Sequence, residues 1–573
     1  RLFREFGGVL AVSVIISSFV ALSLVPALTA RLPVKKQGSN NALASFGHKL
    51  VNHYKQSLHF ALDKAWWIFA ACMLAGGGAL SLYTQLNNEL LPNEDRGTIR
   101  IFARGPDGVG LNFMDRQAHK MEDVLLPYVD GGDIDAIYTV VGQWDPNLTF
   151  ITVPLKHWDV RSRSQQEIIN EIRGPLAAIP GAPARAFGAN SLNLRGQGGG
   201  LELALTGQSY DEIFAAAQNF ARIVQQQLPG FGMPRISYQP TQPQLRVNID
   251  RRRAQELGVP LTDIATTLRV AINGDDLADL NVGDQAIPII LQAQTQKIQT
   301  PADLANLYVG ATNGSLVPLS SLAYISEEGV AAELERQAQR RAIELDMELP
   351  PEMPLQQAVA ELRSLAEQHL PDNIGLIFLG EALTYEETAR EVTLTYVLAF
   401  VIVLLVLAAQ FESVNSAVVV MATVPFGIAA ALLALYLTGT SINIYSQIGL
   451  VMLIGLLAKN AILLVEFADQ LRDKGFSVRQ AVEQAATIRL RPIMMTLLST
   501  LFGALPLILA TGAGAEARSA IGWVVFGGLG LAVIFTLYLT PVLYLALARF
   551  AKPRADETQR LEQELQQAGK LDL

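Results

Sequence analysis

Cysteine and histidine are scarce in this sequence, and their scarcity excludes several kinds of protein. The single cysteine, Cys72, lies in an apolar run, so no disulfide can form within the chain. The 6 histidines are scattered, and neither a G-x-S-x-G nor a G-x-x-x-x-G-K-[ST] motif occurs, which argues against a hydrolase and an ATP-driven pump. Basic residues (44) are fewer than acidic ones (53), so the net charge of −9 argues against a nucleic-acid partner.

Charged residues are also few, at 17% of 573 residues, whereas 50% are hydrophobic, which is too apolar for a soluble protein of this length. Seven apolar runs predict membrane spans, because about 20 apolar residues cross a bilayer. The runs are residues 8–28, 65–83, 394–409, 417–437, 445–467, 492–510 and 521–547. The first run lacks the features of a signal peptide, and we expect the chain to be the C-terminal half of a longer protein.

Lysine and arginine in the short loops predict the orientation of these spans. The linker at 31–64 is rich in lysine and should be cytoplasmic. Counting spans onward places the loop that contains Arg472 and Lys474 on the same side, together with the tail at 549–573. The long segment at 87–388 then lies on the other side of the membrane.

That long segment alternates predicted strands and helices. Residues 98–187 follow the order β-α-β-β-α-β, which is the ferredoxin-like pattern, and the order restarts near Leu201. The expected fold class is therefore a membrane α-helical bundle plus an α+β region of two ferredoxin-like modules, the second with an insertion. The predicted division is 1–30 (span), 31–64 (linker), 65–86 (span), 87–195 (first module), 196–272 and 331–388 (second module), 273–330 (insertion), 389–548 (five spans) and 549–573 (tail).

Lys459 is the most informative residue, because it lies well inside the apolar run 445–467. An ammonium group in a bilayer costs at least ~2.5 kcal/mol on insertion scales and is normally paired and functional. No Asp or Glu lies near the middle of another apolar run, so we expect its counter-charge outside this chain. The alternative is a lysine that extends its ammonium group to the nearer interface.

Polar residues in the following run lie on one helical face. Arg489 and Thr496 are seven residues apart, which is two helical turns. A threonine hydroxyl can donate and accept, which suits a proton path. The alternatives are an interfacial anchor for Arg489 and a hydroxyl bonded to its own helix for Thr496. Glycine clusters at 76–78 and 527–530 predict close helix crossings.

Two segments resemble a known family. GLLAKNAILLVEF (455–467) and RLRPIMMTLLSTLFGALPLILATGAG (489–514) are similar to the second half of resistance–nodulation–division (RND) efflux transporters of the hydrophobe/amphiphile type. The resemblance implies that Lys459, Arg489 and Thr496 form a proton relay with an aspartate pair in a missing N-terminal half. It also implies two periplasmic porter modules, a docking subdomain inserted in the second, and a trimer in the Gram-negative inner membrane with a periplasmic adaptor and an outer-membrane channel.

The function implied is proton-driven export of hydrophobic or amphiphilic small molecules, with the proton motive force in place of any cofactor. Trp144, Phe150 and Phe187 are candidates for contact with the substrate. The link at 142–147 lacks the long Gly- and Phe-rich loop of multidrug members, which favours a narrower class of amphiphile. The alternatives are a membrane receptor or scaffold that binds lipid or protein without transport, and a transporter of lipids or metal ions.

Overall fold

The computed structural model describes residues 2–31, 42–190, 200–294, 300–350 and 353–548, so the predicted tail at 549–573 lies outside it. The first three helices are α1 (Leu2–Arg31), α2 (Ala42–Asp63) and α3 (Ala65–Gln85). Both α1 and α3 are long and apolar enough to cross a membrane. Helix α2 is amphipathic and packs against the later membrane helices, where Tyr54 Oη donates a hydrogen bond to the Leu537 carbonyl at 2.8 Å.

Residues 98–188 form a four-stranded antiparallel sheet with two helices packed on one face. The elements are β1 (Thr98–Arg104), α4 (Leu111–Asp130), β2 (Tyr138–Val141), β3 (Leu148–Pro154), α5 (Gln165–Ala177) and β4 (Ala184–Gly188). The strands lie in the order β2–β3–β1–β4. Alternate side chains of each strand face the helices, so Ile99, Ile101 and Ile151 are buried in one core with Met114 and Ile168.

The next elements run from Leu201 to Phe378. They are β5 (Leu201–Gly207), α6 (Tyr210–Gln227), β6 (Arg235–Ile236), β7 (Gln242–Ile249), α7 (Arg251–Glu256), α8 (Leu261–Ile272), β8 (Asp275–Val282), β9 (Gln285–Leu291), α9 (Pro301–Ala305), β10 (Tyr308–Gly310), β11 (Leu316–Pro318), β12 (Ala323–Val330), β13 (Arg336–Gln337), β14 (Arg340–Met347), α10 (Leu355–His369) and β15 (Gly375–Phe378). The second sheet has the order β13–β14–β5–β15, and β6 also pairs with β14. Helices α6 and α10 cover one face of it and share its apolar core.

The insertion in the second module begins earlier than the predicted boundary at 273. Within the described residues, β7 pairs with β12 alone and lies outside the second sheet. Ala254 of α7 and Ile264 of α8 pack in a separate small core with Val309 and Leu319. Residues 242–272, which the prediction included in the second module at 196–272, therefore pack with the insertion in this structure. Local patterns could not show this, because the partner strand of β7 lies far along the chain.

The remaining elements are membrane helices. They are α11 (Gly380–Phe411), α12 (Val414–Met421), α13 (Val424–Thr438), α14 (Ile444–Asp473), α15 (Val478–Ile508) and α16 (Ala515–Leu547). Helices α12 and α13 form one span that is broken ahead of Pro425, which has no N–H to donate within a helix. Seven helical segments long and apolar enough to cross a membrane are thus found in the described residues, which agrees with the predicted count.

Three connections join the membrane helices to the sheets. Helix α11 follows β15 after a single residue, Leu379, whose N–H donates to the Glu202 carbonyl at 2.9 Å. The start of α14 is held by backbone hydrogen bonds between 87–90 and 442–444, including Glu89 N–H to Ile442 O at 3.0 Å. The α15–α16 loop lies under Trp158, whose ring is 3.7 Å from the position of a Cβ on Gly512. The ends of the helices with the predicted relay residues are therefore linked to segments that adjoin the sheets.

Candidate transport site

Lys459 lies near the middle of α14 on a face that the described part of the chain leaves uncovered. Its side chain is exposed, and a Cβ added one turn earlier at Gly455 would meet no atom within 4 Å. Leu453, Leu457 and Leu464 of the same helix are buried in the bundle core. Because an ammonium group is costly in lipid, this face needs a polar cover from outside the described residues.

Arg489 and Thr496 lie on α15, which packs against α14. The Arg489 guanidinium lies over the Phe467 ring of α14, with its carbon 4.5 Å from the ring centroid. Its buried Nε has no hydrogen-bond partner among the described residues. Thr496 Oγ1 donates to the Ile493 carbonyl at 3.0 Å, so in this state the hydroxyl bonds its own helix. The relay role of these residues stays a prediction.

Asp469 is a polar membrane-helix residue that the sequence analysis missed. It lies ten residues after Lys459 on α14, where Ser416 Oγ donates to its Oδ2 at 3.0 Å and Tyr544 Oη donates to its Oδ1. The spacing could have revealed it, because Asp469 continues a four-residue series with Ala461 and Val465, which are both fully buried. Asp469 therefore joins α14 to α12 and α16.

An aromatic cluster occupies the face of the first sheet that its two helices leave free. Phe102 and Phe150 are direct cross-strand partners with ring centroids 4.9 Å apart. The Trp144 ring lies perpendicular to that of Phe150, also with centroids 4.9 Å apart, and Trp144 is 66% exposed. Phe187 lies on the same face, one strand further along, and is half-buried. The sequence analysis missed Phe102, although its alternation with buried Ile101 and Ala103 places it on this face.

Ion pairs connect this face to the second module. Arg104 lies 3.8 Å from Glu333, and Arg185 lies 3.8 Å from Glu348, measured between the nearest N and O atoms. Both arginines alternate with core residues and so share the face of Phe102. The aromatic cluster therefore borders the junction of the two modules, which is a common location for a small-molecule site.

Glu335 precedes β13 and has carboxylate neighbours at this junction. Burial, followed by the negative charges of Glu344 and Glu333, raises its pKa to about 7. Two contacts oppose this rise: the hydrogen bond that its Oε2 accepts from Ser237 Oγ at 3.1 Å, and the positive charge of Arg104. Because an unfolded glutamate titrates near ~4.3, the protonated side chain favours the folded state, and that stability is lost as pH rises to about 7.

We expect Glu335→Gln to slow hydrogen exchange of the β14 amides at pH 8 and to change it little at pH 5. The glutamine is neutral at both values and so avoids the cost of a buried charge. After a discount for solvent screening, the difference should be ~1 kcal/mol, or about fivefold in protection. Variant and wild type are compared at the same pH by mass spectrometry. Glu327→Gln, on the exposed side of β12, is the control. Equal exchange of Glu335→Gln and wild type at pH 8 would contradict the assignment.

Seven apolar helices, one of them with a central lysine on a face that the described residues leave uncovered, together with two sheet-bearing modules define a multi-pass transporter of the RND class. The chain belongs to the AcrB/AcrD/AcrF family, whose model matches residues 1–548. This confirms the family that the sequence resembles.

Individual relatives agree with this assignment. An uncharacterized transporter of Haemophilus influenzae is 30% identical over 568 residues, covering 96% of this chain and 54% of the relative. Multidrug resistance protein MdtC of Yersinia enterocolitica is 27% identical over 558 residues, with the same coverage. MdtC of Yersinia pestis is 28% identical over 560 residues, again covering 96% of this chain and 54% of the relative. The chain thus spans about half the length of the curated relatives it matches.

Proposed function

We propose that the protein to which this chain belongs exports hydrophobic or amphiphilic small molecules in exchange for protons. The observation on which the proposal rests is the face of α14 centred on Lys459, which the described residues leave uncovered. A charge at this depth is costly, so a membrane helix normally has one only where a charge-coupled step requires it, and a receptor or scaffold has no need of such a step. The relatives named MdtC support export of drugs, and the short link at 142–147 favours a narrower range of amphiphiles.

The proposed relay is a charge switch. We expect an aspartate pair opposite Lys459, because the resemblance to RND transporters implies one on a helix of the first half. Protons arriving from the periplasm neutralise the aspartates, the Lys459 ammonium loses its counter-charge and reorients, and release of the protons toward Arg489 resets the cycle. In the described state Thr496 bonds its own helix, so participation in the relay requires its hydroxyl to exchange the Ile493 carbonyl for another partner.

The three connections between helices and sheets would transmit the helix movements of this switch to the modules that contact the substrate. A shift of α14 or α15 acts on the segments at 87–90 and at Trp158, and α11 moves with the second sheet. We propose that the two sheets are ferredoxin-like porter modules in the periplasm, consistent with the strand order β2–β3–β1–β4. Substrate would then contact Trp144, Phe150 and Phe187 where the modules meet.

The assembly proposed is the inner-membrane component of a tripartite pump. It is a trimer that works with a periplasmic adaptor and an outer-membrane channel, and the insertion at 242–330 serves as its docking subdomain. Energy comes from the proton motive force, without a nucleotide or another cofactor.

The function is tested by expressing the complete gene in a Gram-negative strain that lacks its own pumps. We expect the wild type to raise the inhibitory concentration of several amphiphiles at least about fourfold over the empty vector, because active export lowers the internal concentration. A protonophore should abolish efflux of a preloaded dye. Phe150→Ala in the same assay tests the aromatic face, and unchanged protection by that variant would contradict its role. If the wild type protects against no amphiphile, the export proposal fails.

A further inference from the structure

A cavity of about 830 Å³ lies among α3, α11, α13 and α14, and extends from the start of α14 to the start of α13. Its volume is within the usual range of small-molecule sites, roughly 300–1,000 Å³. Most of its wall is apolar and comes from the membrane helices, including Val392, Phe400, Val424, Ile428 and Leu450. An acyl or alkyl chain of a ligand would be buried from water against this wall.

The polar end of the cavity contains Glu89, which lies beyond the last residue of α3 and is half-buried. Its backbone is held by the hydrogen bond to Ile442, and its carboxylate by one from Ser441. Burial nevertheless raises the pKa of Glu89 above its usual range. None of the described residues that line the cavity is Lys, Arg or His. The carboxylate therefore faces the cavity without a cation from its walls.

Gln447 supplies a second acceptor at the same cavity. Its side-chain Oε1 is buried and has no hydrogen-bond partner within the described residues. The neighbouring Tyr396 hydroxyl donates to the backbone carbonyl of Gln447 at 3.2 Å, so that donor is already used. A buried acceptor without a donor is unfavourable, and a ligand N–H group would satisfy it. The cavity thus combines a carboxylate, an amide oxygen and a long apolar wall.

We infer that this cavity binds an amphiphile with a protonated primary or secondary amine head, and that Glu89 is the residue that selects its charge. The ammonium pairs with Glu89 and donates an N–H to Gln447 Oε1, while the hydrocarbon body lies along α11 and α13. An amine-bearing phospholipid would bring a phosphate as well, and the described lining offers no cation to hold it. This deepens the proposed export function by naming a substrate class, and only the transport step after binding rests on that function.

The test uses the complete transporter in phosphatidylcholine nanodiscs and a dodecylamine that carries a diazirine on its chain. We expect labelling of residues on α11 and α13, mapped by mass spectrometry and suppressed by excess dodecylamine. Dodecyltrimethylammonium should compete less because it has no N–H, and dodecyl maltoside should not compete. Glu89→Gln should lower labelling about tenfold and Glu89→Asp should largely keep it, because the ammonium needs a charged partner. Gln447→Leu should lower it about threefold.

Glu381→Gln is the matched control, because Glu381 is also half-buried but does not line the cavity. Equal labelling of Glu89→Gln and wild type would overturn the inference, as would equal competition by dodecyl maltoside. If phosphatidylethanolamine in the nanodisc suppresses labelling, the occupant of the cavity is a lipid and the inference is overturned. Lys459→Ala should keep full labelling while it stops export, so a failure of the export proposal is distinguishable from a failure of this one.

Discussion

Lys459→Ala should reduce protection by the complete transporter to the level of the empty vector while leaving its amount in the membrane unchanged. The stable amount is expected because, among the described residues, Lys459 lies on an uncovered face of α14 and is outside the buried core. The loss of export is expected because the lysine is the one cation near the middle of the predicted spans. Breaking a buried ion pair costs ~3–5 kcal/mol. This corresponds to a factor of more than about 100 in the equilibrium constant of the step that depends on the pair.

Two further variants make the Lys459 result interpretable. Lys459→Met keeps most of the side-chain volume and removes only the charge, so it should fail like the alanine variant. Lys474→Ala removes an exposed lysine just beyond the end of α14 and should export normally. The measurements are inhibitory concentrations and the rate of dye efflux, normalised to the amount of protein in the membrane. Full export by Lys459→Met would remove the lysine from the mechanism.

Gly527→Ala should destabilise the membrane bundle strongly, although the change adds one methyl group. A Cβ at Gly527 would lie 2.1 Å from the Cβ of Ala434, which cannot rotate away because it is fixed to the backbone of α13. Helices α13 and α16 would have to separate, and such overpacking typically costs ~1–3 kcal/mol. We expect less protein in the membrane and a thermal unfolding midpoint lower by several degrees in detergent.

Gly530→Ala is the matched control in the same helix, three residues away. Its Cβ would have Leu501 Cδ2 as its nearest neighbour at 3.8 Å, which is an ordinary contact. Alanine is favoured over glycine in a helix by ~0.5–1 kcal/mol, so this variant should be as stable as the wild type or slightly more stable. If both variants unfold at the same temperature, the close crossing at Gly527 is not important for stability.

The two glycine clusters show why such crossings cannot be read from sequence. Both were expected to mark close helix packing, and the cluster around Gly527 does. At Gly77 and Gly78 an added Cβ would meet nothing within 4 Å of it in the described residues. Glycine permits a close approach, but whether a helix approaches depends on the positions of its neighbours.

Several features of this protein were determined by local sequence alone. The seven spans follow from apolar length, and the cap of α5 follows from Ser164 and Glu167 three residues later, which form a capping box. Strand and helix order in the first module follows from periods of two and of 3.6 residues. These properties depend on residues close together in the chain, so a single sequence is enough to predict them.

Tertiary structure alone decided what depends on distant partners. Because β7 pairs with β12, the insertion begins earlier in the chain than the predicted boundary at 273. Cross-strand register brings Phe102 next to Phe150. Glu89 and Gln447 line one cavity although hundreds of residues separate them, because a short backbone pairing holds 87–90 against 442–444. Lys459 was found from sequence, but only the packed bundle shows that the described helices leave its face of α14 uncovered. Burial depends on every element around a residue, and a periodic pattern describes only the element itself.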